Sequence, residues 1–288
     1  MSQKVSAKQT FSLILNSIFT LFKNPQILYP FGILAFIQLL IMEVLFFAPR
    51  NPLSFIFKPI ITRLKGEAYL HYPLNFDLMN HWFQSLQVVI FLFITSYLMG
   101  KAILMIASVN QDKPIGDKMP ALGLRKYLGI VLAFFFFFLL IHGLTSIYGL
   151  LIHRAVQIRS TSGIYFYIKQ AVLVGAPYFN LLFSIMVTAL FAYVVPVIVL
   201  EAKNVFIAIG KNFQILWLNL LPTFGVVFLT SMIYVPILLI RSNEKSLSVL
   251  FTPETWQLTV IAGIFILLFI EAMQYTAITT CYLLTKDE

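Results

Sequence analysis

Apolar residues run through this chain in blocks too long and too uniform for the interior of a water-soluble fold. The stretch KYLGIVLAFFFFFLLIHGL, residues 126–144, places five phenylalanines in succession, Phe134 to Phe138. At about 100° per residue, five consecutive helical positions cover every face of the cylinder, so the segment needs apolar surroundings on all sides. A helix that crosses a bilayer needs roughly 20 mostly apolar residues. Six segments qualify, at 26–47, 82–108, 125–152, 177–200, 219–240 and 256–284, with Lys101 interrupting the second and Pro196 the fourth. The pattern predicts an all-α membrane protein, residues 1–288 forming a single polytopic domain whose two termini share one side of the bilayer.

Two shorter segments carry a different period. In residues 9–24, Phe11, Ile14, Leu15, Ile18 and Phe22 follow helical spacing, and Gln9, Ser12, Asn16, Thr20 and Lys23 fall on the opposite face. A helix lying in the headgroup plane has this pattern, and Asn24-Pro25 ends it before the first span. A signal peptide is not expected here, because Asn16, Ser17 and Thr20 break the apolar run and no small-residue cleavage site follows Lys4 and Lys8. The arrangement recurs in residues 203–217, where Phe206, Ile209, Phe213 and Trp217 oppose Lys203, Gly210, Lys211 and Gln214, with Asn219 and Pro222 before the fifth span. A third, weaker copy is expected in DKPIGDKMPALGLRKYLGI, residues 112–130, where Pro120 interrupts it. The chain therefore reads as three units, each an interfacial elbow followed by a two-helix hairpin, with all elbows on one face of the membrane.

Composition narrows the class. Hydrophobic residues make up 60% and charged residues 11% of the chain, and the mean hydropathy is +0.90. The net charge of +9 does not point to nucleic acid, because the 20 Lys and Arg are scattered between apolar runs instead of forming a basic stripe with interleaved aromatics. Anionic lipid headgroups are the expected counter-charge. With the N-terminus inside, the inner side holds eleven Lys and Arg against nine outside, which favours cytoplasmic termini in a bacterial inner membrane. The single cysteine, Cys281, excludes an internal disulfide, a CxxC redox pair and a Cys-based zinc site. No metal or other cofactor is expected.

Glu271 is the acidic residue most deeply placed in a predicted span, with Gln274 and Tyr275 one turn away and Thr276, Thr279 and Thr280 beyond. Ionisable groups at this depth mark substrate, ion or proton paths, or else bond to a neighbouring helix and serve packing. Glu43 lies near the end of the first span. His142, with Gly143, Thr145 and Ser146 beside it, is expected on the half of the third span that meets other helices, with the phenylalanine run facing lipid; a proton relay to Glu271 is the sharper alternative. Glu201, Lys203 and Lys211 form a cytoplasmic boundary set, suited to a cation or headgroup or simply to pairing Glu201 with Lys203 or an elbow lysine. In the outer loop, Glu67 with His71 and Asp77 with His81 have the i, i+4 spacing that would bring metal-ligating or acid–base groups together on a helix, although Pro73 separates the pairs.

No enzyme signature accompanies these residues: GxSxG, P-loop and dinucleotide fingerprints are missing. The run YVVPVIVLEAKNVFIAIGKNFQILWLNLLP, through Pro196, Glu201, Lys211, Asn212 and Phe213, resembles the membrane domain that accompanies some glycerophosphodiester phosphodiesterases and related uncharacterised bacterial six-span proteins. The resemblance implies a membrane module without the hydrolase. The expected function is a non-catalytic membrane scaffold or accessory subunit, in contact with the bilayer and with other membrane subunits; the competing class is a transporter or channel-like protein for a lipid or small amphiphile, with Glu271 and His142 in its path.

Overall fold

The computed structural model describes residues 7–72, 74–111, 113, 121–158, 162–201, 203–242 and 254–286. These contain helices and no strand. In chain order they are α1 (Ala7–Lys23), α2 (Tyr29–Phe47), α3 (Ser54–Leu64), α4 (Leu74–Val89), α5 (Ser96–Asn110), α6 (Leu124–Gln157), α7 (Gly163–Leu190), α8 (Val194–Glu201), α9 (Val205–Leu218), α10 (Leu220–Ser231), α11 (Val235–Ser242) and α12 (Glu254–Lys286), with short tighter turns between some of them. Six helical stretches are long and apolar enough to cross a membrane: Pro25–Phe47, Leu74–Asn110, Leu124–Gln157, Gly163–Glu201, Leu220–Ser242 and Gln257–Lys286. The protein is thus a multi-pass membrane protein, as its hydrophobic blocks demand, since a helix satisfies its own backbone polar groups in hydrocarbon.

The six spans close into a ring in chain order. The first packs on the second (α2 on α4 and α5), the second on the third (α5 on α6), the third on the fourth (α6 on α7), the fourth on the fifth (α7 on α10), the fifth on the sixth (α10 and α11 on α12), and α12 returns to α2. The middle is drawn together by α5, which also meets α12 and α8.

Three spans lose regular α-helical bonding part-way across. The second passes through a π-helical segment, Ile90–Thr95, and the Ser96 hydroxyl just beyond it donates back to the Leu92 carbonyl at 2.6 Å. The fourth breaks at residues 191–193, between α7 and α8. Pro196 accounts for this break, because it has no N–H to offer the Ala192 carbonyl one turn back. Pro236 stands in the same relation to Met232 in the fifth span, where a tighter turn, Met232–Tyr234, separates α10 from α11. The fourth helix begins at Gly163, well before residue 177: Pro177 is accommodated inside α7, and Lys169, which reads as loop, donates to the Ile158 carbonyl at the end of α6 at 3.1 Å.

The two short amphipathic helices are equivalent in register. When Asn24 is set against Asn219, the buried positions Thr10, Leu13, Ser17 and Leu21 of α1 fall on buried Val205, Ala208, Asn212 and Leu216 of α9, and exposed Phe11 and Phe22 fall on exposed Phe206 and Trp217. Both asparagine side chains donate to the carbonyl four residues back, Asn24 to Thr20 at 3.3 Å and Asn219 to Ile215 at 3.2 Å. Helix α1 docks on α10 and α12, and α9 docks on α8 and α6, so each lies against a hairpin other than its own. The apolar face read for α1 divides in two. Leu13 and Ile14 face protein, and Phe11, Leu15, Phe19 and Phe22 face outward. The third copy, within residues 112–130, falls partly outside the described residues, and its last seven residues, Leu124–Ile130, belong to α6.

The phenylalanine run is divided, with Phe135 exposed and Phe134 turned inward, and His142 faces away from the other helices, against expectation. Phe134 is buried and its ring packs 4.8 Å from that of Phe91, with Phe137 5.5 Å from Phe91. His142 is exposed and stacks on Phe138 with ring centroids 5.8 Å apart. Helical periodicity is the reason, since Ile130, Ala133, Phe134 and Phe137 share the face that meets the rest of the bundle. Polarity does not decide which side turns inward where both protein and lipid are apolar.

Candidate functional site

A cavity of about 120 Å³ lies within the bundle, bounded by the second, third, fourth and sixth spans. The irregular segments build two of its walls. Phe91 and Thr95 come from the π-helical stretch, and Phe191, Ala192, Val194 and Val195 from the break in the fourth span. Ala133, Phe134 and Phe137 of α6 form a third wall, and Glu271, Gln274, Tyr275 and Ile278 of α12 the fourth. Glu271 is fifteen residues before Lys286, about 22 Å along an α-helix, which is mid-membrane depth. Irregular backbone within a spanning bundle is tolerated where it is enclosed by protein or lines a cavity, and both irregular stretches here line the same one.

The polar groups of this cavity are open. Among the described residues, Glu271, Tyr275, Thr95 and Thr188 have no side-chain hydrogen-bond partner, though all four line the cavity. Thr223, Thr230 and Thr285 show the usual alternative, each returning its hydroxyl to the carbonyl four residues back at 2.7–2.8 Å. Gln274 is anchored on one side only: its amide nitrogen donates to Thr230 Oγ1 at 2.9 Å, Ser231 Oγ at 3.2 Å and the Val227 carbonyl at 3.4 Å.

Between the cavity and the end of the bundle where α9 sits, polar groups are instead tightly paired. Lys211 Nζ contacts both oxygens of Glu201, at 2.5 and 2.7 Å, and the Tyr282 hydroxyl donates to the same carboxylate. Lys203 is exposed at the start of α9 and takes no part in the pair. Asn212 spans the broken segment, donating to the Leu190 carbonyl at 2.7 Å and accepting from the Tyr193 amide at 2.9 Å. The Tyr193 hydroxyl lies 2.6 Å from Thr223 Oγ1 and 3.4 Å from Cys281 Sγ. The quoted motif thereby acquires physical roles: Pro196 breaks the span, Asn212 satisfies the broken backbone, Lys211 neutralises Glu201, and Phe213 points outward, 50% exposed.

The remaining candidates stay apart. His142 is absent from the cavity lining, so no relay joins it to Glu271. Glu43 is exposed near the end of α2. Glu67 opens a 3-10 turn that ends before His71, so this pair does not share an α-helical face; Asp77 and His81 do share α4, and all four are exposed. No group of three or more His, Cys, Asp and Glu able to hold a metal occurs among the described residues. Thr276 and Thr279 are buried with unbonded hydroxyls, and Thr280 meets Asn110 at 3.3 Å. The residues that linear reading could not join to Glu271 are Thr95 and Thr188. Their only signal along the chain is a hydroxyl inside an apolar span.

No family model, curated protein or solved structure matches this chain.

Proposed function

We propose that this is a non-catalytic protein of a bacterial inner membrane that binds, and passes across or along the bilayer, a small amphiphilic molecule held in the central cavity. One observation carries this: an unpartnered carboxyl, Glu271, and three unpartnered hydroxyls converge on a mid-membrane cavity at which two spans are broken. An ionisable group without a partner is costly in an apolar medium, and a ligand or water that completes its bonding offsets that cost. Both termini and both elbows lie on the cytoplasmic leaflet, where outward-facing Phe11, Phe22, Phe206 and Trp217 enter the headgroup layer. Native mass spectrometry of protein released gently from its own membrane tests the function. The expected result is a retained small molecule that is lost from Ala192→Phe, which fills the cavity. A ligand-free wild type, together with an Ala192→Phe variant that restores a deletion strain in full, would overturn it.

A scaffold or accessory-subunit role is favoured by a different observation. Other polar side chains in the spans pair helix to helix, Gln38 with Gln87 at 3.3 Å and Asn219 with Thr285 at 3.3 Å, as expected of groups retained for packing. Co-purification of a stoichiometric membrane partner whose loss reproduces the deletion phenotype, with no ligand in the cavity, would establish that role.

A further inference from the structure

We propose that the ligand of the central cavity is a small organic cation, an alkylammonium group of a few carbons, held by Glu271 within a cage of aromatic rings. This rests on the cavity being a ligand site and specifies what the site selects. Glu271 is the only ionisable carboxyl in the lining, and neither Lys, Arg nor His contributes to it among the described residues. An anionic ligand would bring a second negative charge into an apolar enclosure. Five aromatic side chains, Phe91, Phe134, Phe137, Phe191 and Tyr275, line the cavity together with Glu271. Four of these rings form one continuous cluster, Phe137 standing edge-on to Phe191 at 6.1 Å in addition to its contact with Phe91. Aromatic walls attract a desolvated cation through the ring quadrupole, and alkylated ammonium ions are the ligands this chemistry recognises best.

The hydroxyls of Thr95, Thr188 and Tyr275 supply acceptors for ammonium N–H groups, and Gln274, whose nitrogen is committed to Thr230 and Ser231, keeps its carbonyl oxygen for the same use. Size suits a short chain. A cavity of about 120 Å³ is comparable with apolar cavities of roughly 150 Å³ that admit benzene, so a chain of a few carbons fits. A bare metal ion is a poor match, because hard cations require about six oxygen ligands and most of this wall is hydrocarbon.

The test uses the full chain in phosphatidylcholine nanodiscs, titrated calorimetrically with n-butylammonium chloride, with 1-butanol as the neutral analogue and sodium chloride as the inorganic control. Butylammonium should bind saturably and at least tenfold more tightly than 1-butanol. Glu271→Gln should weaken it at least tenfold, and Phe137→Leu at least threefold, without altering the response to 1-butanol. Equal binding of 1-butanol, or displacement of butylammonium by equimolar sodium, would overturn the organic-cation assignment while leaving a ligand site in place. Absence of binding by either organic probe overturns this assignment, and if the native protein is also ligand-free the ligand-site function falls with it. Should Glu271→Gln fail to fold, Phe137→Leu decides: unchanged butylammonium affinity in that variant sinks the proposal.

Discussion

Asn212 and Tyr193 close the break in the fourth span: the Asn212 side-chain oxygen accepts from the Tyr193 amide at 2.9 Å while its nitrogen donates to the Leu190 carbonyl at 2.7 Å. One side chain on α9 thus satisfies two of the backbone groups freed where α7 ends. Asn212→Leu leaves two buried groups unpaired, at about 1–3 kcal/mol each, and should destabilise the protein by about 2–5 kcal/mol. Asn212→Asp, which must take up a proton or bury a charge against the Leu190 carbonyl, should also destabilise. Reversible denaturation in mixed micelles measures both, and a Leu variant within about 0.5 kcal/mol of wild type would contradict the bridging role.

Close approach of α1 to the fifth span depends on Gly225. A Cβ there would lie 2.8 Å from Thr10 Cγ2 and 3.5 Å from Thr10 Oγ1. Gly225→Ala should therefore push α1 off its seat, costing about 1–3 kcal/mol as an overpacked contact does. Thr10→Ser removes the clashing methyl, so the double variant should recover most of the loss. Limited proteolysis within α1 provides the readout, and equal cleavage of the single and double variants would show that the contact is not what seats the helix.

Glu201 is 9% and Lys211 37% exposed in their ion pair. Removing the lysine strands a carboxylate that the Tyr282 hydroxyl alone still contacts. Because Lys211 is more than a third exposed, the expected cost of Lys211→Met is about 1–2 kcal/mol, below that of a fully buried pair. Adding Glu201→Gln should restore at least half of it. A double variant less stable than Lys211→Met would show that the carboxylate has a further partner.

Sidedness can be read chemically. In a Cys281→Ser background, cysteines at Asn16 and Gln214, both exposed on the elbow helices, should resist an impermeant thiol reagent applied to intact cells, and a cysteine at Thr62, exposed on α3, should react. Labelling at the first two positions with protection at Thr62 would invert the orientation.

The hydrophobic blocks by themselves determine that six helices cross a membrane, because hydrocarbon accepts only backbone that bonds to itself. Helical spacing likewise marks the two short amphipathic helices, α1 and α9, and Pro196 marks the interrupted span. Tertiary structure alone decides which faces turn inward. On a helix apolar all round, Phe134 and His142 carry no instruction about direction, since lipid and protein interior differ little in polarity, and packing turned the phenylalanine in and the histidine out. Glu271 was legible as a deep carboxyl, but its surroundings were not. Thr95, Thr188 and Phe137 line one cavity with it because a π-helical segment and a proline break lie beside the same space in different spans. The choice of Lys211 over Lys203 for Glu201 is likewise tertiary: Lys203 precedes α9, and only the docking of α9 on α8 brings Lys211 to the carboxylate.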